Sequence, residues 1–169
     1  MSGTPIETER KFLIRMPSFS TLQAQNGVRI KEIKQTYLVT DNGTNARVRE
    51  IVENGKVSRV KTIKKRISSL SCYEDEGEIT KEQYEAELTL ADPSKKAIEK
   101  VRYAFPFGSH TVEIDVFPFW SDRALLEVEL ESENEEFDIP DFVEIIKEVS
   151  NDPRYKNTNL ATNIPMDII

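Results

Sequence analysis

Glu7-Thr8-Glu9-Arg10-Lys11 sets Glu7, Glu9 and Lys11 two residues apart. In a β-strand, residues two apart point to the same face. The same spacing returns in Arg47/Arg49, Glu85/Glu87, Lys100/Arg102, Glu113/Asp115 and Glu127/Glu129/Glu131. Each set is a charged patch on one strand face, flanked by apolar residues that point the other way. Some strands offer carboxylates and others bases, a combination that suits metal ions and a highly anionic ligand.

At 169 residues the chain is expected to be one domain, 1–169, with enough length for a real core. It is 38% hydrophobic and 31% charged, a globular rather than disordered balance. A net charge of −7 argues against a general nucleic-acid binder, whose footprint is basic. Bases still cluster locally in Arg59-Val60-Lys61-Thr62-Ile63-Lys64-Lys65-Arg66. A lone cysteine, Cys72, excludes an internal disulfide and a Cys-rich zinc site. A lone histidine, His110, disfavours a Ser-His-Asp triad or a His-ligated metal centre. With no apolar leader or membrane-length apolar run, a soluble cytoplasmic protein without a membrane partner is expected.

The alternation predicts strands at 6–14, 34–40, 45–52, 57–67, 84–90, 98–107, 111–117 and 124–133. Asp41-Asn42-Gly43, Asn54-Gly55 and Gly108-Ser109 read as hairpin turns. Residues 18–31 are weakly helical and 68–82 read as a Ser- and acid-rich loop. Phe142, Ile145, Ile146 and Val149 have helical spacing after Pro140, and Asn151-Asp152-Pro153 ends that helix. The chain is therefore mainly β, with about eight hairpin-connected strands, a number at which an antiparallel sheet closes into a barrel with a ligand-sized lumen.

An antiparallel sheet often has one wet face, and for a single pair such as Glu113/Asp115 that ordinary reading holds. The whole set argues for a lined cavity instead. Like charges side by side are destabilising, yet sign is segregated by strand, and Arg, suited to bidentate phosphate recognition, is used heavily. Mg²⁺ or Mn²⁺ prefers carboxylate oxygens and bridges phosphates. Glu7/Glu9 and Glu127/Glu129 would supply metal ligands, and Lys11, Arg47, Arg49, Lys100 and Arg102 would neutralise phosphate oxygens.

These pieces resemble the CYTH superfamily, the triphosphate tunnel metalloenzymes. Glu7-x-Glu9-x-Lys11 is similar to its signature ExExK strand. Gln35-Thr-Tyr37-Leu38, Arg47-Val-Arg49, Thr62-Ile-Lys64, Glu85-Ala-Glu87, Glu99-Lys100-Val-Arg102-Tyr103, Glu113-Ile-Asp115, Glu127-Val-Glu129-Leu-Glu131 and Asp152-Pro-Arg154-Tyr155-x-Asn157 follow in the family's order, over about residues 5–160. The resemblance implies an eight-stranded closed antiparallel barrel with a few peripheral helices, a central tunnel, divalent-metal dependence and triphosphate substrates. It implies a metal side of Glu7, Glu9, Glu127 and Glu129. Phosphate would meet Lys11, Arg47, Arg49, Lys64, Lys100, Arg102 and Arg154, with Glu9, Lys11, Lys64 and Glu127 at the chemistry. Glu85, Glu87, Glu113 and Asp115 would complete the lining. Periodicity leaves open whether Lys61 or Lys64 faces inward; the family pattern favours Lys64. Arg154 and Tyr155 read equally as a tunnel closure or as a hydrogen-bonded connection. The Ser/Glu-rich 68–82 segment and His110-Thr-Val depart from close relatives.

A short chain with no evident base-binding pocket fits a hydrolase of inorganic tripolyphosphate, giving pyrophosphate and orthophosphate. Nucleoside or thiamine triphosphatase and class IV-type adenylate cyclase are the alternatives within the family, and a non-catalytic polyphosphate or nucleotide binder is the alternative outside enzymology. The expected partner is a small-molecule triphosphate, with Mg²⁺ or Mn²⁺ as cofactor; a homodimer is left open.

Overall fold

The computed structural model describes residues 6–41 and 44–169. In chain order its elements are β1 (Ile6–Arg15), α1 (Phe19–Gln23), β2 (Arg29–Tyr37), β3 (Asn45–Glu53), β4 (Lys56–Arg66), β5 (Ser71–Glu78), α2 (Lys81–Leu88), β6 (Ile98–Phe107), β7 (His110–Val116), β8 (Arg123–Leu130), β9 (Ile145–Glu148), a 3-10 turn at Pro153–Tyr155 and α3 (Asn157–Leu160). The strands run β5-β4-β3-β2-β6-β7-β8-β1, and β1 also pairs β5, so eight antiparallel strands close into a barrel. Closure removes the open edges that make a flat sheet aggregation-prone.

Turn chemistry accounts for the hairpins. Asn54 and Gly55 both have positive φ, 52° and 75°, as a type I′ turn requires, and Glu53 faces Lys56 across it. Gly108 takes φ 60° at the first central position between β6 and β7, where a II′ turn needs glycine. Of the turn at Asp41-Asn42-Gly43, Asn42 and Gly43 lie outside the described residues.

The closing seam is short. β5 pairs β1 only from Ile6 to Thr8, with a hydrogen bond of 2.7 Å between the Thr8 and Ser71 hydroxyls. Farther along β1, β9 takes the same edge from Phe12 to Ile14. Here the structure differs from the helix expected over residues 142–149. The edge of β1 carries backbone donors and acceptors that need partners, and that demand outweighs the helical spacing. Phe142 and Val143 still pack on the core, through the loop before β9.

Two further expectations change. Residues 84–90 are not a strand: α2 covers Lys81–Leu88, started by a capping box in which Thr80 and Gln83 satisfy each other's backbone N–H groups. Tyr84 of α2 packs on Leu38, Ala46 and Val48, outside the barrel. In its place the 68–82 segment supplies the eighth strand, β5. Both faces of β5 are polar: Tyr73 and Asp75 are exposed, while Glu74 lies against the inward Lys64. An apolar alternation is therefore missing. β2 also begins at Arg29, earlier than expected, after a short α1 capped by Ser18.

Apolar residues fill both sides of the wall. Phe12, Ile14, Tyr103, Phe105, Val112, Ile114, Leu126 and Val128 form the outer core of β1, β6, β7 and β8, covered by Phe137, Ile139 and Phe142. Inside, Leu13, Ile98, Phe117 and Leu125 share the face of the charged residues and meet Trp120, Tyr155 and Leu160, plugging one end of the barrel. No helix among the described residues is long and apolar enough to cross a membrane.

Candidate active site

Register carries the charged pairs into one lumen. Lys11 stands opposite Glu127 and Glu9 opposite Glu129; Glu113 faces Glu127 and Arg102 faces Asp115. Lys31 faces Arg102, Arg47 faces Thr62, and Lys64 faces Glu74. Apart from Lys11 on β1 and Glu53 on β3, the inward carboxylates fall on the contiguous strands β7-β8-β1-β5 and the inward bases on the contiguous strands β4-β3-β2-β6. An acidic arc thus faces a basic arc across a chamber of about 390 Å³.

Where the arcs meet, opposite charges neutralise each other. At β6/β7, Arg102 forks onto Asp115 at 2.8 and 3.0 Å and reaches Glu113 at 3.3 Å, while Lys100 sits 2.9 Å from Asp115. At β4/β5, Lys64 lies 3.3 Å from Glu74 and 3.6 Å from Glu7, and Arg49 is 2.6 Å from Glu76, which also accepts from Thr62. Burial works against ionised Asp115, yet Arg102 and Lys100 outweigh it and hold its carboxyl at about 2. Burial pushes the Lys100 ammonium down to about 7, with Asp115 offsetting part of that loss. Glu127 is likewise buried but held well below the carboxylate range by Lys11, 3.3 Å away, and by Arg102.

The middles of the arcs are not neutralised. Burial, then Glu127 and Glu7, raises the Glu9 carboxyl well above its ordinary range. Glu7 is raised by burial and by its hydrogen bond with Glu74. Glu129, at the mouth, is pushed up to about 7 by burial and by Glu113 and Glu7. On the basic arc, Arg47 is only 8% exposed, and its Nε is buried with no acceptor. Carboxylates that outnumber the cations beside them, facing a guanidinium without an anion, describe a site built for both.

The chain is 34% identical over 159 residues, 93% of its length and 94% of the relative's, to an inorganic triphosphatase of Acetivibrio thermocellus. It belongs to the CYTH family, the triphosphate tunnel metalloenzymes. The crystal structure of the inorganic triphosphatase NE1496 superposes on this CYTH barrel with a TM-score of 0.57, at 28% identity and covering 98% of each chain. The PH1819 protein of Pyrococcus horikoshii shares the fold, with a TM-score of 0.60 and 19% identity over 76% of this chain and 80% of its own. No family model matches the sequence.

Of the residues expected in this CYTH tunnel, Glu7, Glu9, Arg47, Arg49, Lys64, Arg102, Glu113, Glu127 and Glu129 line the chamber. Lys11, Lys100 and Asp115 are buried against its walls. Lys64, not Lys61, points inward; Lys61 pairs with Glu87 at 2.8 Å on the outer side. Glu85 and Glu87 are corrected: they ride on α2, outside the barrel, and do not line the chamber. Arg154 also lies away from the chamber, on the outer surface between Asp152 and Asp167. Its neighbour Tyr155 is fully buried in the apolar plug and donates to Asp167 at 2.8 Å, so the hydrogen-bonded connection is the one observed. His110 sits at the β6–β7 hairpin against Glu135 and Phe137, away from the chamber.

Sequence reasoning missed Glu74, Glu76, Arg29 and Lys31, all of which line the chamber. Both pairs carry the same two-residue spacing that singled out Glu7/Glu9. A Ser-rich loop reading and a weak helix reading hid them.

Proposed function

We propose that this CYTH protein is a divalent-metal-dependent hydrolase of inorganic tripolyphosphate, releasing pyrophosphate and orthophosphate. The observation that carries the reading is the pair of opposed arcs with unneutralised centres. A tripolyphosphate brings negative charge to the basic arc, and its metal brings positive charge to the acidic one. Among the described residues no aromatic ring lines the chamber, whose apolar wall is Ile33, Ile51 and Val60. A nucleobase would find no stacking partner, which favours a substrate that is all phosphate.

The donor set fits a hard divalent ion. Glu7, Glu9 and Glu129 are carboxylates whose proton affinity is raised by burial and by crowding with neighbouring carboxylates. Among the described residues no group of three such side chains is already set at metal-holding distances. Mg²⁺ or Mn²⁺ is held by one or two carboxylates, with water and substrate oxygens completing the shell. Glu9 and Glu129, opposite each other, would hold the ion with Glu7 beside them, and Glu127 would be a further ligand. When bound, the ion would draw charge from the phosphoryl oxygens and acidify a water.

The chain's own residues do the rest. Arg47, Arg49, Lys64 and Arg102 would orient the chain of phosphates and neutralise charge on the leaving pyrophosphate. Asp115 and Glu113 fix the Arg102 fork and Lys100 in place. Lys11 holds Glu127. Water adds to a terminal phosphorus as its bond to the bridging oxygen breaks; the bridging oxygen leaves on pyrophosphate and the water's proton passes to solvent.

Incubation with tripolyphosphate, ATP or thiamine triphosphate, each with Mg²⁺ or Mn²⁺, tests the reading by orthophosphate and cyclic AMP release. Orthophosphate from tripolyphosphate, abolished by EDTA, is expected. Cyclic AMP without orthophosphate would overturn it, and binding without turnover would favour a sensor.

A further inference from the structure

Among the described residues, Glu53 is the one carboxylate that the basic strands β4-β3-β2-β6 turn into the chamber. Along β3 the inward face reads Arg47, Arg49, Ile51, Glu53, so Glu53 lies four residues beyond Arg49, about 14 Å along the strand. Ile33, Ile51 and Val60 come between: Ile33 pairs with Ile51, and Val60 with Arg49. They divide the basic wall into an inner group, Arg47, Arg49 and Lys64, and an outer group, Arg29 and Lys31 with Glu53. The outer group belongs to the open end of the barrel. On β6, Ile98 lies in the apolar plug, whereas Arg29 stands opposite Ala104, six residues farther on. The Arg29 side chain is 63% exposed.

Glu53 takes both arms of the Arg29 fork, with Nε and Nη2 each 2.8 Å from a carboxylate oxygen. The hydrogen bonds from Arg29, with the charges of Arg29 and Lys31, hold the Glu53 carboxyl below its ordinary range, so it is ionised at neutral pH. A guanidinium fork grips phosphate with the same geometry as carboxylate. Glu53 therefore occupies the donors that would meet a phosphate entering the outer group, and its charge opposes that phosphate. An ion pair this exposed adds little stability; its effect falls on what the open end admits.

We propose that Glu53 is a specificity-determining residue that restricts the chamber to short phosphate chains. A tripolyphosphate is held by the inner bases and Arg102 and does not reach Glu53. A longer linear polyphosphate lays its excess phosphates past Ile33 and Ile51 onto the outer group, where Glu53 repels them and keeps Arg29 engaged. For the reaction this rests on the hydrolase reading above; the discrimination itself is a matter of binding.

The test compares tripolyphosphate with linear hexaphosphate, in turnover and in calorimetric binding to the EDTA-treated protein. Wild type, Glu53→Gln and the double variant Glu53→Gln/Arg29→Gln are measured, with melting curves to confirm folding. In Glu53→Gln the ratio of kcat/KM for hexaphosphate to that for tripolyphosphate should rise about tenfold, the scale of one charge-assisted hydrogen bond gained. The rise should shrink in high salt, which screens contacts at an exposed mouth. The double variant should lose it, because the freed Arg29 fork is the contact. An unchanged ratio, as when the excess chain leaves on the α3 side, overturns the proposal, and so does a rise that survives the loss of Arg29. If neither substrate is turned over, the hydrolase reading fails, and the same ratio taken from dissociation constants decides the role of Glu53.

Discussion

Asp115→Asn removes the one charge that both Lys100 and Arg102 face. Asp115 is 1% exposed and Lys100 3% exposed, and their charged atoms are 2.9 Å apart. Arg102 keeps Glu113 at 3.3 Å after the substitution, but among the described residues Lys100 has no other carboxylate within ion-pair distance. Removing one partner of a buried pair costs about 3–5 kcal/mol, because the remaining charge stays desolvated. For a chain of this size each kcal/mol moves Tm by about 2–4 °C, so a fall of about 6–20 °C is expected. The loss carries a pH signature. With Asp115 present, Lys100 already titrates near 7; without it, the folded value drops further, against about 10.4 when unfolded. Below the unfolded value the unfolded chain then binds more protons, so stability rises with pH. The gap between wild type and variant therefore widens as pH falls below 7 and narrows above it, where Lys100 can be neutral in both. Urea unfolding at pH 6 and pH 8, with thermal melts, measures this. A gap under about 1 kcal/mol at pH 6, or one that is larger at pH 8, would refute the argument that Asp115 acts by holding buried cations. The double variant Lys100→Met/Asp115→Leu should recover most of the loss, since a buried pair replaced by apolar residues is often neutral.

Glu9→Gln should lower tripolyphosphate kcat/KM at least about 100-fold, more than is typical for outer-shell partners of a metal. In metal-free buffer it should raise Tm, because it removes one of several crowded carboxylates; a lowered Tm would contradict the crowding. The metal-free protein should also lose stability as pH rises from about 5 to 7. Glu129, folded near 7 and ordinarily near 4.5, binds its proton more tightly when folded, so its stabilisation is full below about 4.5 and is lost as pH rises from there to about 7. Saturating Mg²⁺ at pH 8 should offset that loss, and a Tm indifferent to pH and metal would count against it. Glu85→Ala and Glu87→Ala, on the outer α2, should leave kcat and KM for tripolyphosphate within about twofold, since surface changes away from the site perturb little.

How much of this was legible in the sequence depended on what each strand faces. β1, β3, β6, β7 and β8 pack an apolar face on the core and a charged face on the lumen, so their alternation is readable. β5 has polar residues on both faces, and period two vanishes when solvent and lumen are alike in polarity. The spacing of Glu85 and Glu87 failed for the opposite reason. On a helix residues two apart lie on nearly opposite sides and share no face, so the spacing carries no meaning there, and the arbiter was the Thr80-x-x-Gln83 capping box, a local signal that outranks it. Arg154 was misplaced because a motif fixes sequence neighbours, while Asp167, which captures it, lies 13 residues away.

The arcs themselves were beyond any linear reading. Along the chain the inward sign runs acid, base, base, base, acid, base, acid, acid from β1 to β8, which suggests mixture. Two non-local pairings sort it. The β2–β6 crossover joins Lys31 to Arg102 and makes the bases contiguous, and the β1–β5 seam joins Glu7 to the strand of Glu74 and makes the acids contiguous. Only then do some residues lie at an arc junction and others at an arc centre. Junction residues neutralise one another and hold the barrel; central ones keep an excess of one sign, which only a ligand can relieve. Glu9 and Arg47 are thus functional candidates by their distance from the junctions, not by their motifs.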